Sequence, residues 1–206
     1  MVTKLRGLHH GYDTTMDAFE ESANRLGIDV IDLYLVHWPL PARDLYVETW
    51  RAFERLLADG RVRAIGVSNF NPGQLDRLLA ETDVVPAVNQ IELHPYFPQH
   101  ALRAYNSGKG IVTQSSWSPL GRAGDFLEDP RIRRLAAKYD RTPGQIILCW
   151  HIDLGAGPIP KSANPERLAA NIDIFDFSLS EEDMTAIAGL DRNTRLGGDP
   201  DTNDEE

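Results

Sequence analysis

The sequence predicts an α/β fold with a parallel sheet, of the barrel rather than the doubly wound type, and three observations carry that reading. Strand-like and helix-like segments alternate from Val2 to Leu190, with most strands about 25 to 30 residues apart, the spacing of successive βα units. No Gly-x-Gly-x-x-Gly follows any strand, and Gly121-Arg-Ala-Gly124 is not one, which argues against a doubly wound dinucleotide fold. Polar residues collect instead at the C-terminal ends of separate strands: Lys4, His37, Ser68, Asn69, Gln90 and Lys161. In a barrel those ends form one ring around one mouth.

Val2 to Leu5 is a short extended segment, followed by a loop from Arg6 to Asp13 that also holds Tyr12. His9 and His10 are expected to face solvent there, as adjacent loop histidines usually do, and a metal site is not expected because no carboxylates stand at ligand spacing. Thr14 or Thr15 caps a helix with Met16, Phe19, Ala23 and Leu26 on its apolar stripe, and Gly27 ends it. Asp32-Leu-Tyr-Leu-Val-His37-Trp-Pro39 is an apolar run closed by a proline, hence a strand buried on both faces. Two readings of His37 stay open on this stretch alone, a hydrogen-bonded strand end or a chemical group at the mouth.

Asp44 to Asp59 is helical, with Trp50, Phe53, Leu56 and Leu57 on one stripe and Gly60 as its stop. Val62 to Asn69 is a strand. Asn71-Pro72 caps the helix of Leu75, Leu78 and Leu79. The strand from Ala87 ends at His94-Pro95, with His94 read as structural. A short helix from His100 to Ser107 leads to the strand Gly110 to Ser116. Helices follow at 130–139 and 142–154, the second with Pro143 in its first turn. Gly157 to Ser162 is a strand and its exit, Asn164-Pro165 caps a helix through Asn171, and Ser180-Glu-Glu-Asp183 has capping-box spacing.

The 206 residues suit one domain: 1–191 as a βα body and 192–206 as a C-terminal loop and acidic tail. Asp199 to Glu206 has no apolar period and reads as disordered. A net charge of −10 argues against a nucleic-acid partner. No apolar run reaches the roughly 18 residues of a membrane span, and the N-terminus lacks a signal-peptide core, so a cytoplasmic location is expected. The single cysteine, Cys149, lies in an apolar segment and reads as buried.

The strand-end wording resembles the aldo-keto reductase family. The matching pieces are Val2-Thr-Lys-Leu5, Leu33-Tyr-Leu-Val-His-Trp-Pro39, Ile65-Gly-Val-Ser-Asn-Phe70 and Val88-Asn-Gln-Ile-Glu-Leu-His-Pro95. Ser116-Trp-Ser-Pro-Leu-Gly121, Ile159-Pro-Lys-Ser162 and Pro165-Glu-Arg167 through Phe175-Asp-Phe177 continue them in the family's order. The wording is most similar to bacterial diketogluconate and glyoxal-type reductases. The resemblance implies a TIM (β/α)8-type barrel and NADPH-dependent reduction of aldehydes and ketones, with a small carbonyl compound as substrate. In the family a tyrosine acid, its pKa lowered by a lysine that an aspartate pairs with, protonates the carbonyl oxygen while a histidine orients it. By motif Lys4 matches the lysine and His37 the histidine, and Trp38 lines the substrate pocket. Ser68, Asn69 and Gln90 match the groups that hold the cofactor's carboxamide, and Trp117 the aromatic stacked on the nicotinamide, with Ser118 and Leu120 beside it. Lys161, Ser162 and Arg167 match the surroundings of the 2′-phosphate, and Asn171 an adenine contact, although Ala170 stands where many members carry glutamate.

The match begins at the family's third strand, so about six of the eight βα units are expected here. The segment bearing the aspartate and the tyrosine is unmatched, and none of this chain's tyrosines stands in its place. The expectation is a truncated reductase with impaired turnover, monomeric as a whole barrel and prone to self-association through open sheet edges otherwise. The alternatives are a non-catalytic NADP-binding or regulatory protein and an inactive fragment.

Overall fold

Residues 1–117, 119–121 and 125–204 are described by a computed structural model. Six strands alternate with eight α-helices among them. The chain forms two compact units, the first of Met1–Gln90, Leu102–Val112 and Gly198 onward, the second of Ile91–Ala101 and Thr113–Gly197.

In the first unit β1 (Val2–Leu5), β2 (Leu33–Val36), β3 (Ile65–Ser68) and β4 (Val88–Ile91) pair in chain order, every pair parallel. The register sets Leu5 opposite Val36 and Ser68 opposite Gln90, which brings the C-terminal ends of the strands level. All four residues of β2 are buried, as its apolar run requires. The alternation of side chains sends Tyr34 and Val36 to a cluster with the helices and Leu33 and Leu35 to a second cluster with Val88. Tyr34 stacks on Phe53 at 4.5 Å and meets the edge of Phe19 at 5.6 Å. Phe19 and Phe53 come from α1 (Tyr12–Leu26) and α2 (Tyr46–Ala58), whose apolar stripes pack on the strands. At Gly66 in β3 a β-carbon would lie 2.7 Å from Leu35 Cδ2 and 2.8 Å from Val88 O, so only glycine lets these strands pack this closely.

Several expectations change. The N-cap of α1 is Gly11, and Tyr12 is the first helical residue rather than a loop residue. The Thr14 hydroxyl instead donates back to His10 O at 2.8 Å and that of Thr15 to His9 O at 3.1 Å, so neither caps the helix. α2 begins at Tyr46, after left-handed Asp44. His10 is 5% exposed rather than solvent-facing, and neither of its ring nitrogens has a hydrogen-bond partner. Burial, aided by the nearby Arg43 charge, pushes its pKa down to about 4.

The acidic tail is docked rather than disordered through Asp204. α3 (Pro72–Glu81) opens with a capping box between Asn71 and Gln74, and Asp201 Oδ1 accepts from Asn71 Nδ2 at 2.5 Å and Gln74 Nε2 at 3.0 Å. Asp201→Ala is expected to free the tail and cost about 1 kcal/mol. Faster amide exchange at Thr202 and Asn203, which bond Asp199 O, is the readout.

In the second unit β5 (Val112–Ser115) and β6 (Gly157–Pro158) pair parallel. α5 (Pro130–Tyr139) and α6 (Pro143–Asp153) follow β5, the latter capped by a box of Thr142 and Gln145. Ile146 to His151 are all buried, Cys149 included, and burial pushes its thiol up to about 12, which leaves it inert. α7 (Pro165–Ile172) is capped by Asn164, and α8 (Glu181–Ala188) by a Ser180–Asp183 box in which aspartate serves. α4 (His100–Gly108) precedes β5. Among the described residues no helix is long and apolar enough to cross a membrane, and no cluster could hold a metal ion.

Candidate active site

The residues singled out at strand ends fall into two groups, one in each unit. In the first, Lys4 sits on β1, half-buried and paired in register with Leu35. His37 follows β2 directly, and its N–H donates to Leu5 O at 3.1 Å, so the backbone at the ends of β1 and β2 fixes where the imidazole starts. Trp38 lies beside it, ring centroids 6.1 Å apart, and both are half-buried.

The next two strand ends are braced to that pair. Asn69 adopts a left-handed conformation (φ 62°), a conformation asparagine tolerates better than most residues. Its Nδ2 donates to His37 O at 3.0 Å and to Ser68 Oγ at 3.1 Å, while its backbone N–H donates to Gln90 O at 2.9 Å. Ser68 Oγ donates to the same Gln90 carbonyl at 2.9 Å, and Ser68 and Gln90 are buried. Asn69 therefore ties the ends of β2, β3 and β4 together through one side chain and one amide. A site built on strand ends so braced is held rigidly.

In the second unit a cavity of about 630 Å³ is lined by Ser116, Trp117, Pro119, Leu120, Ile159 and Lys161, among others. Its wall carries one large aromatic and one ammonium group. Lys161 and Arg167 are exposed, and neither forms an ion pair among the described residues. Ser162 is half-buried, its Oγ accepting from Asn164 N at 3.1 Å ahead of α7, and Asn171 is half-buried near the end of that helix. Ser118 lies outside the described residues.

A buried acid that the motif reading passed over stands just after β4. Glu92 is 3% exposed, and its Oε1 accepts from His94 Nε2 at 2.8 Å. The amides of Leu196 and Gly197 donate to its two oxygens at 2.6 and 2.9 Å. Burial works to raise its pKa, but these hydrogen bonds outweigh it and hold the carboxylate below its ordinary range. His94 is wholly buried against Phe126, rings 5.8 Å apart at 19°, which makes it a packing residue that holds Glu92.

Known proteins share this fold. The model of the Aldo/keto reductase family matches residues 2–192. An aldo-keto reductase of Mycolicibacterium smegmatis is 52% identical over 202 residues, 98% of this chain and 73% of that protein. The 2,5-diketo-D-gluconic acid reductase B of a Corynebacterium species is 48% identical over 205 residues, covering 100% of this chain and 74% of its own. The crystal structure of a variant of Gox0644 in complex with NADPH superposes with a TM-score of 0.95 at 51% identity, over 98% of this chain and 74% of that one. At these identities and TM-scores the likeness extends over the whole fold of this chain. With six βα units of the (β/α)8 barrel in the family's order, the chain belongs to the aldo/keto reductase family.

Proposed function

We propose that the chain binds NADPH and serves the reduction of small aldehydes and ketones, with dicarbonyls and keto-sugars as the substrate class. The observation that carries this reading is the cavity of the second unit, with Trp117 and Lys161 on its wall and Arg167 exposed on α7. Its volume is in the range of small-ligand sites, an indole face suits a flat nicotinamide ring, and two cations without carboxylate partners among the described residues suit a phosphate in an acidic chain. The residues present therefore fit the group.

When bound, NADPH supplies the hydride. Lys161, Ser162 and Arg167 hold the 2′-phosphate, Asn171 meets the adenine, and Trp117 with Ser118 and Leu120 sets the nicotinamide face. Ser68, Asn69 and Gln90 offer amide and hydroxyl groups to the carboxamide, which both donates and accepts. His37 orients the substrate carbonyl by hydrogen bonding, Lys4 stands where the family's lysine lowers the pKa of its tyrosine acid, and Trp38 lines the substrate side. We further infer that turnover by these 206 residues alone is slow, because the family's tyrosine acid and the aspartate paired with its lysine have no match among them.

Oxidation of NADPH on addition of glyoxal or 2,5-diketo-D-gluconate tests the reading. His37→Asn is expected to lower kcat/KM about tenfold, the worth of one orienting hydrogen bond. Turnover unchanged in that variant contradicts the role of His37. NADPH binding without turnover by the unsubstituted chain favours a binding protein.

A further inference from the structure

The segment Arg192–Gly197 is fastened to the second unit at several points. The amides of Arg192 and Thr194 donate to Tyr96 O at 3.1 and 3.2 Å, and the Arg192 guanidinium lies 3.7 Å over the Tyr96 ring. Arg195 lies 4.8 Å over Phe97. At the end of this strap the consecutive amides of Leu196 and Gly197 both point at the buried Glu92 carboxylate, one to each oxygen.

Glu92 is itself rigidly held. His94 Nε2 fixes one carboxylate oxygen at 2.8 Å, and Gln99 Nε2 donates to the Glu92 backbone carbonyl at 2.6 Å. The strap touches the cavity wall directly. A β-carbon built at Gly197 would lie 2.8 Å from Glu92 Oε2 and 3.4 Å from Cδ2 of the Trp117 indole. Gly197 is thus seated between the carboxylate and the ring that lines the cavity.

We propose that Glu92 is a positioning residue: its carboxylate clasps the strap Arg192–Gly197 against Trp117 and so fixes the indole that faces the nicotinamide. The role of the indole rests on the proposed function, but the clasp does not. A charged acceptor of two adjacent amides is stronger than a neutral one, and a glutamine there turns an N–H₂ group toward at least one of those amides.

The test is limited trypsin digestion without cofactor, followed by mass spectrometry. Glu92→Gln is expected to speed cleavage after Arg195 by about tenfold or more, with cleavage on α5 unchanged, and to shift the indole emission of Trp117. With NADPH present, the variant is expected to bind the cofactor about tenfold more weakly while the KM for the carbonyl substrate changes less than about threefold. Wild-type cleavage and emission in a folded Glu92→Gln chain overturn the clasp. If that variant does not fold, amide exchange in the unsubstituted chain decides, because the N–H groups of Leu196 and Gly197 both donate to Glu92. Slow exchange at both amides supports the clasp, and exchange as fast as in an open segment overturns it. Strap release in a chain whose Trp117 never responds to NADPH upholds the clasp and removes the cofactor reading alone.

Discussion

Replacing Lys161 and Arg167 together by alanine is expected to weaken NADPH binding about a hundredfold, roughly tenfold for each charge-assisted contact at an exposed site. NADH, which lacks the 2′-phosphate, is expected to change less than about threefold. Several other cations are spent on carboxylates. Arg61 is bonded to Glu20, Arg77 to Asp44 and Glu81, and Arg141 to Asp173 and Asp176. Lys161 and Arg167 are exposed around the start of α7 with no such carboxylate among the described residues. A chain with a net charge of −10 repels a dinucleotide phosphate at long range, so the local pair must supply the attraction. Titrations of both cofactors into both proteins decide it. An equal loss for NADPH and NADH places the 2′-phosphate elsewhere.

The second large effect is a loss of stability in acid that traces to His10. Its folded-state pKa of about 4 lies below the ordinary histidine value of 6.5, so between those limits the unfolded chain binds the extra proton. The contribution is fully present above pH 6.5 and is lost as pH falls toward 4, by about 3 kcal/mol at the end of that window. His10→Leu removes the titrating ring, and because neither ring nitrogen has a hydrogen-bond partner, no bond is lost with it. Denaturant midpoints measured from pH 7 down to 4 are expected to fall less steeply in this variant. Parallel curves for the two proteins exclude His10 as the source.

Much of the scaffold was legible because it depends on neighbours in sequence. The apolar run of β2, the proline that follows His37-Trp38, and the caps at Asn71, Asn164 and Ser180 each act within a few residues, and each forms as its local pattern requires. What escaped depends on distant partners. His10 sits on a polar loop, and the guanidinium that faces it belongs to Arg43, whose Nη1 bonds Gly7 O from 36 residues away. The tail is acidic and aperiodic, yet Asp201 meets the Asn71 cap 130 residues earlier. Glu92 reads as one polar residue in a strand exit until the amides of Leu196 and Gly197, more than 100 residues on, close around it. The polar strand ends were legible as a motif set, while the bonds by which Asn69 braces the His37 carbonyl and Ser68 the Gln90 carbonyl became visible only with the strands in register.

The most direct test of the cofactor site is a titration of NADPH into the chain, followed by indole emission, beside the same titration of Trp117→Phe. Trp38, Trp50 and Trp150 remain in the variant, so the difference isolates the one indole on the cavity wall. The expected result is saturable quenching in the unsubstituted chain that is largely lost in Trp117→Phe. Identical curves for the two proteins, or no quenching at any NADPH concentration, would contradict a nicotinamide site at Trp117.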